Sequence, residues 1–148
     1  MICSLRIIQL ASAALAAYGL LAGAPASAQG VKIGVLNDQS GTFADYGGKG
    51  SVEAAKMAIE DFGGSVLGEK IELINADHQN KADLASAIAR RWYDVEGVDM
   101  ITDLTLSSVA LAVQQIAAEK KKIDIVVASS TPALTGSALH ALRVPLGL

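Results

Sequence analysis

The chain has 148 residues, a formal net charge of −3 and a single cysteine. This length accommodates one domain of ordinary size and is short for two. A nucleic-acid partner is disfavoured, because such partners are held by clusters of Lys and Arg and this chain is slightly acidic. Its one basic run, residues 120–122, is better explained as the cationic end of a helix.

The first 28 residues have the pattern of a secretory signal peptide. Arg6 supplies a positive charge, residues 7–21 are almost all Ala, Leu and Ile, and residues 26–28 form a small-x-small cleavage motif. A membrane span needs about 20 predominantly apolar residues, and this stretch is shorter. We therefore predict cleavage after Ala28 and export, most simply to a bacterial periplasm. Cys3 is lost with the signal, so neither a disulfide nor a lipid anchor is expected.

Strands and helices alternate along the mature chain. Apolar, β-branched runs predict strands at 31–36, 70–76, 98–102 and 123–128. Helical spacing predicts a helix over 50–62, a second capped by Asn80 with the stripe Leu84, Ile88, Trp92 and Val95, and a third capped by Ser107 or Ser108. Continuous apolar strands between helices predict an α/β fold, a Rossmann-like parallel sheet with helices on both faces.

The domain organisation predicted from this pattern is a signal peptide over 1–28, one ligand-binding lobe over 29–136 and an atypical tail over 137–148. After Gly136 the pattern fades, and residues 139–148 are not expected to complete another unit. A truncated or frameshifted gene would produce such a tail.

Three loops at the carboxyl ends of the predicted strands form the candidate ligand site: residues 37–48, 103–108 and 128–132. Their glycines and hydroxyls suit a ligand held by hydrogen bonds. Ser107 and Ser108 at a helix start favour a carboxylate, unless Ser107 only caps its helix. Tyr46 either forms a wall against the ligand or packs on its own loop.

Several other chemistries find no support. A phosphate-binding loop, a dinucleotide fingerprint and a G-x-S-x-G nucleophile turn are all missing from the sequence. His78 and His140 are isolated from each other, so no metal site and no cofactor are expected. Asp77 and His78 are interpreted as a polar strand-to-helix turn. Asp103 stands where response regulators carry a phospho-accepting Asp, but export argues against that chemistry.

The sequence resembles the start of the periplasmic substrate-binding proteins of ABC transporters, of the branched-chain amino acid type. The resemblance lies in VKIGV at 31–35, SGxxAxYG at 40–47, and then Ala54-Ala55 and Ala58-Ile59. The Ser107-Ser108 helix start and the turn at 128–135 fit two further landmarks of that family.

The resemblance implies a two-lobed protein that closes on a small-molecule ligand and delivers it to an inner-membrane permease. By position it implies that Ser107, Ser108, Ala128 and Ser130 hold the ligand's carboxylate and that Tyr46 is the aromatic of the first loop. Residues 37–39 read Asn-Asp-Gln where the family commonly has an apolar-Pro-Leu run. A different ligand, such as an aromatic or other organic acid, is compatible with that change.

Three alternatives to an importer component stay open. The chain could be an exported small hydrolase-like enzyme, although it lacks an obvious nucleophile–base pair. It could be the ligand-binding module of a sensor, since the same fold serves in receptors. It could also be a truncated fragment without function, because the second lobe implied by the resemblance is missing.

Overall fold

A computed structural model describes residues 30–138 and 143–146 of the chain. The predicted signal peptide, its cleavage site and His140 lie outside the described residues. Within the described part, none of the helices combines the length and apolar content needed to cross a bilayer.

The elements follow one another as strand, helix and strand. The strands are β1 (Lys32–Asn37), β2 (Ser65–Val66), β3 (Glu69–Lys70), β4 (Glu72–Asp77), β5 (Met100–Thr102), β6 (Ile123–Val127) and β7 (Arg143–Leu146). The helices are α1 (Gly48–Asp61), α2 (Ala82–Asp94) and α3 (Ser107–Lys120), with a short 3₁₀ turn at Pro132–Leu134.

The main sheet has the order β4-β1-β5-β6-β7 among the described residues, and all its pairings are parallel. The predicted α/β fold with a parallel sheet is therefore confirmed. After β1 the chain adds β4 on one side and then crosses to add β5 on the other, so the strand order reverses at β1. In parallel sheets, ligands bind beyond the carboxyl ends of the strands at such a reversal.

The core lies between the sheet and the helices α2 and α3. It contains Trp92, Leu36, Ile101, Val109, Val113, Ile116 and Val126, all buried. Trp92 packs over Gly34, where an added Cβ would lie 2.5 Å from the indole ring. Glycine at this position therefore lets α2 approach β1 closely.

The opposite face of the sheet is more open. Ile33 and Met100 alternate with Gly34 and Ile101 along their strands and so point the other way. With Phe62 at the end of α1 they line a groove of about 320 Å³. One face is thus a closed core, whereas the other keeps an apolar groove beside α1.

Two details of the predicted elements are wrong. Lys70, predicted to open the second strand, belongs to the β2–β3 hairpin, and β4 begins at Glu72. Val95, predicted to join the buried stripe of the second helix, is 78% exposed, because α2 ends at Asp94.

Residues 143–146, within the predicted atypical tail, are part of the main sheet. These residues form β7, which pairs with β6 from Asp124↔Arg143 to Val127↔Leu146. Pro145 obscured the strand in the sequence, since proline cannot donate to a ladder and is found in edge strands. The boundary at residue 136 stays a prediction.

Candidate functional site

Asn37 joins three elements at the carboxyl edge of the sheet. It is the last residue of β1, it is fully buried, and its Nδ2 donates to Gly48 O at 2.6 Å and to Asp103 Oδ2 at 2.7 Å. The end of β1, the start of α1 and the end of β5 are therefore held together. Tyr46 precedes Gly47, where an added Cβ would lie 3.4 Å from Asp103 Oδ2. The predicted first and second loops thus meet at Asp103.

Ser129 joins the second and third loops. Its hydroxyl lies 2.8 Å from Leu104 O and 3.0 Å from Thr105 O. Ala128, with φ +62°, and Asp103, with φ +69°, take left-handed backbone conformations where β6 and β5 end. Such conformations are costly for non-glycine residues and are common at binding sites. Ser129 therefore holds the loop of Ala128 and Ser130 against the loop that leads into α3.

The start of α3 is not capped by a side chain. The N-cap is Leu106, in an extended conformation, and it supplies no capping hydrogen bond. Ser107 is the first helical residue, so the prediction that Ser107 or Ser108 caps this helix is wrong. Ser107 is half-buried and Ser108 is exposed. The first N–H groups of a helix lack intrahelical acceptors and carry partial positive charge, which attracts an anion.

Tyr46 lies on the surface of the first loop. Its N–H donates to Phe43 O at 3.0 Å, and the residue is 66% exposed. The ring is therefore not buried within its own loop. Its role as a ligand wall stays a prediction.

Asp38 organises the first loop from inside. It is 1% exposed; Oδ1 accepts from Gly41 N at 2.7 Å, and Oδ2 accepts from Phe43 N at 2.8 Å and Asn80 Nδ2 at 2.6 Å. Burial acts to raise the pKa of Asp38, but the hydrogen bonds from Phe43, Gly41 and Asn80 outweigh it. The pKa therefore lies below its usual value, and the carboxylate stays ionised.

Asp77 makes a second connection to the same loop. Its Oδ1 accepts from Gln39 N at 3.0 Å and Gln79 N at 2.8 Å, and Oδ2 accepts from the Ser40 hydroxyl. Burial acts to raise the pKa of Asp77, and these hydrogen bonds lower it below its usual value. Asn80, predicted to cap α2, does not do so: the N-cap is Lys81.

His78 is fully buried in the turn between β4 and α2. Its Nδ1 accepts from Asn80 N at 3.1 Å, which assigns the proton of the neutral ring to Nε2. Nε2 has no hydrogen-bond partner among the described residues. Burial lowers the pKa of His78 below its usual value. The negative charges of Asp38, Asp77 and Asp103 act to raise the pKa but do not outweigh burial. The turn lies where the sequence predicted it, but its histidine belongs to the interior.

Asp103 is almost fully buried beside the candidate anion site. Burial raises its pKa, and hydrogen bonds from Ser51 and Asn37 and the charge of His78 oppose the rise. A raised pKa reduces the negative charge that a bound carboxylate would meet. Across residues 30–138 and 143–146, no group of three His, Cys, Asp or Glu side chains is arranged to hold a metal ion.

Sequence reasoning missed the hydrogen bonds of the first loop to the turn after β4, which join Asp38 to Asn80 and join Asp77 to Gln39 and Ser40. The one available signal was the unusual Asn-Asp-Gln run at 37–39. Its partners at 77–80 are about forty residues away, so no local pattern connects the two segments.

Comparison with known proteins places the fold in context. The family model described as periplasmic binding protein matches residues 30–142. No curated protein matches the chain.

Solved structures resemble the chain over most of its length. A periplasmic binding protein from Burkholderia mallei is 47% identical, with a TM-score of 0.76, over 80% of this chain and 32% of that one. A branched-chain amino acid ABC transporter periplasmic ligand-binding protein from Burkholderia xenovorans is 45% identical, with a TM-score of 0.69, over 72% and 28%.

A more distant relative was solved with a ligand. The solute-binding protein of an ABC transporter from Rhodopseudomonas palustris, in complex with 3,4-dihydroxybenzoic acid, is 28% identical, with a TM-score of 0.70, over 78% of this chain and 31% of that one. The chain therefore spans about a third of the length of these solved relatives.

Proposed function

We propose a function from one premise: the chain belongs to the periplasmic binding protein family. It is the solute-binding component of an ABC importer, and it captures an amino acid or a related small carboxylate in the periplasm. It then delivers the ligand to an inner-membrane permease. The predicted signal peptide over 1–28 supports this location, and residues 29–136 form the lobe that contributes to the ligand site.

The start of α3 is the observation that carries this proposal. Leu106 provides no capping side chain, so the N–H groups at the start of a 14-residue helix are open to an anion at the carboxyl edge. Ser107 and Ser108 add hydroxyl groups at the same place. A carboxylate is the group of an amino acid or organic acid that this arrangement would hold.

The remaining predicted site residues belong to the other two loops at the carboxyl edge. Ser129 holds the loop containing Ala128 and Ser130 beside the approach to α3, which favours their contact with the same ligand. Tyr46 belongs to the first loop, which is joined to the end of β5 through Asn37 and Asp103. Its exposed ring is suited to pack against an apolar or aromatic ligand body.

The ligand class has two candidates. Branched-chain amino acids are favoured by the branch of the family that the sequence resembles and by the name of the Burkholderia xenovorans relative. Aromatic acids are favoured by the ligand of the Rhodopseudomonas palustris relative. Both carry the carboxylate that α3 would bind. The matched family and these relatives are binding proteins, which favours capture of a solute over the hydrolase alternative.

The proposal is tested by titrating the purified protein with L-leucine and with 3,4-dihydroxybenzoic acid, followed by amide chemical shifts. Affinity is expected to be weak, about millimolar, since a single open surface buries less of a ligand than a closed cleft. Shift changes are expected at Ser107, Ser108 and Ala128. Leucinamide and 3,4-dihydroxybenzamide are the matched controls, because they lack only the carboxylate. Equal binding of the acids and amides, or shifts confined to other surfaces, would overturn the proposal.

A further inference from the structure

The loop that carries Tyr46 folds around the side chain of Asp38. Both oxygens of this carboxylate are used, by Gly41 N, Phe43 N and Asn80 Nδ2 at 2.6–2.8 Å. Gly41 fits because an added Cβ there would lie 2.7 Å from Asp38 Oδ1 and 3.0 Å from Asn80 Nδ2. The loop backbone therefore depends on this carboxylate staying in one place.

Asn80 is the contact to Asp38 that comes from outside the loop. Asp38 and Asn80 are 42 residues apart, on the turns that follow β1 and β4. A hydrogen bond from an amide to an ionised, buried carboxylate is stronger than one between neutral groups. This bond consequently ties the first loop to the edge strand of the sheet.

The turn that presents Asn80 has an unusual backbone. Gln79 and Asn80 have φ values of +50° and +57°, in the left-handed region. The ring of His78 braces the turn, because its Nδ1 accepts from Asn80 N at 3.1 Å. Asn tolerates this conformation better than most residues, and here its amide side chain is directed at Asp38.

We propose that Asn80 and Asp38 are positioning residues for the ligand loop: their contact fixes the loop that presents Tyr46, although neither residue belongs to the predicted ligand-binding set. This inference rests on the proposed function. It makes the turn between β4 and α2 a determinant of ligand affinity.

The mechanism follows from the geometry of the loop. Tyr46 N donates to Phe43 O at 3.0 Å, and Phe43 N donates to Asp38 Oδ2 at 2.8 Å. Displacement of the carboxylate is thus passed through Phe43 to Tyr46. An exposed ring on an ordered loop binds more tightly than the same ring on a disordered loop, because less conformational entropy is lost on binding.

The test compares Asn80→Gly with Gln79→Gly. Both replace a left-handed residue by glycine, so the backbone change is matched, but only Asn80→Gly removes the donor to Asp38. We expect amide exchange at Gly41 and Phe43 to accelerate about tenfold or more in Asn80→Gly and to stay near wild type in Gln79→Gly. Chymotrypsin cleavage after Phe43 and Tyr46 is expected to accelerate only in Asn80→Gly.

A double substitution tests whether Asn80 acts through Asp38. In an Asp38→Asn background, Asn80→Gly should accelerate exchange in the loop by much less than it does in the wild type. Equal exchange in Asn80→Gly and Gln79→Gly, or full additivity in the double variant, would overturn the inference. Because these readouts need no ligand, they are independent of whether the proposed function is correct.

The binding arm uses L-leucine and 3,4-dihydroxybenzoic acid as probes. If either probe binds the wild type, Asn80→Gly should weaken it about tenfold relative to Gln79→Gly, while the two variants keep similar melting temperatures. If neither probe binds the wild type, the proposed ligand classes are wrong. The amide-exchange test then decides by itself whether Asn80 and Asp38 position the loop. Unchanged affinity in a variant whose loop is disordered would refute the role in binding.

Discussion

The core behind the sheet and the carboxyl edge of the sheet are stabilised in different ways, although the same strands form both. Leu36 is packed in the core, and the next residue along β1, Asn37, belongs to the polar edge. The core depends on apolar burial around Trp92, which has no directional requirement and changes little with pH. The edge depends on directed hydrogen bonds and on buried charges such as Asp38. Stability is therefore concentrated in the core, whereas geometry and pH sensitivity are concentrated at the edge.

The largest expected effect is at Trp92, which is 1% exposed. Trp92→Ala should lower the free energy of unfolding by about 3–5 kcal/mol, because it leaves a cavity over Gly34 that the backbone cannot fill. Urea denaturation measures this loss. The matched control is Val95→Ala, an exposed position near the end of the same helix, with an expected change of less than about 0.5 kcal/mol. Similar losses in both variants would show that α2 is not anchored by its tryptophan.

His78 tests the pH sensitivity assigned to the edge. Its pKa is lowered in the folded state, so the unfolded chain binds more protons as the pH falls below about 6.5. Its contribution to stability is thus present at higher pH and declines as the solution is acidified through that range. Asp103, whose pKa is raised, acts in the opposite sense: the folded chain takes up its proton first as the pH falls, which favours the folded state.

We therefore expect His78→Gln to have a lower melting temperature than the wild type at pH 7.5 but a smaller further loss between pH 7.5 and pH 5.5. Gln79→Ala, a change at an exposed position of the same turn that carries no titrating group, serves as the control and should keep the wild-type slope. If His78→Gln retains the full slope, another group is responsible for acid sensitivity.

The smallest expected changes in stability are at two serines at the carboxyl edge of the sheet. Ser129→Ala should cost about 1 kcal/mol, because its hydroxyl joins the loops after β5 and β6. Ser107→Ala should change stability by less than about 0.5 kcal/mol, since Leu106 holds the cap position and the serine is not a structural cap. Thermal melts of the two variants give the comparison. A loss of 1 kcal/mol or more in Ser107→Ala would assign that serine to the fold rather than to the ligand.

The sequence predicts the core of the molecule better than it predicts the carboxyl edge of the sheet. Trp92 and Ile101 belong to apolar patterns that are visible over a few residues, and their burial followed from the periodicity of helix and strand. Asn80 looked like a helix cap because its local sequence suits one, yet its side chain reaches Asp38. The burial of His78 gave no local signal, since polar turn residues are usually exposed.

What the sequence determined by itself was the alternation of strands and helices, the parallel sheet and the positions of the three loops at its carboxyl edge. These follow from hydrophobic period and turn composition, which act over a few neighbouring residues. The tertiary structure alone decided which polar groups meet: Asn37 with Asp103, Asp38 with Asn80, and Ser129 with the approach to α3. The physical reason is the strand order β4-β1-β5-β6, which brings distant turns to one edge and lets buried polar atoms find partners that no local pattern specifies.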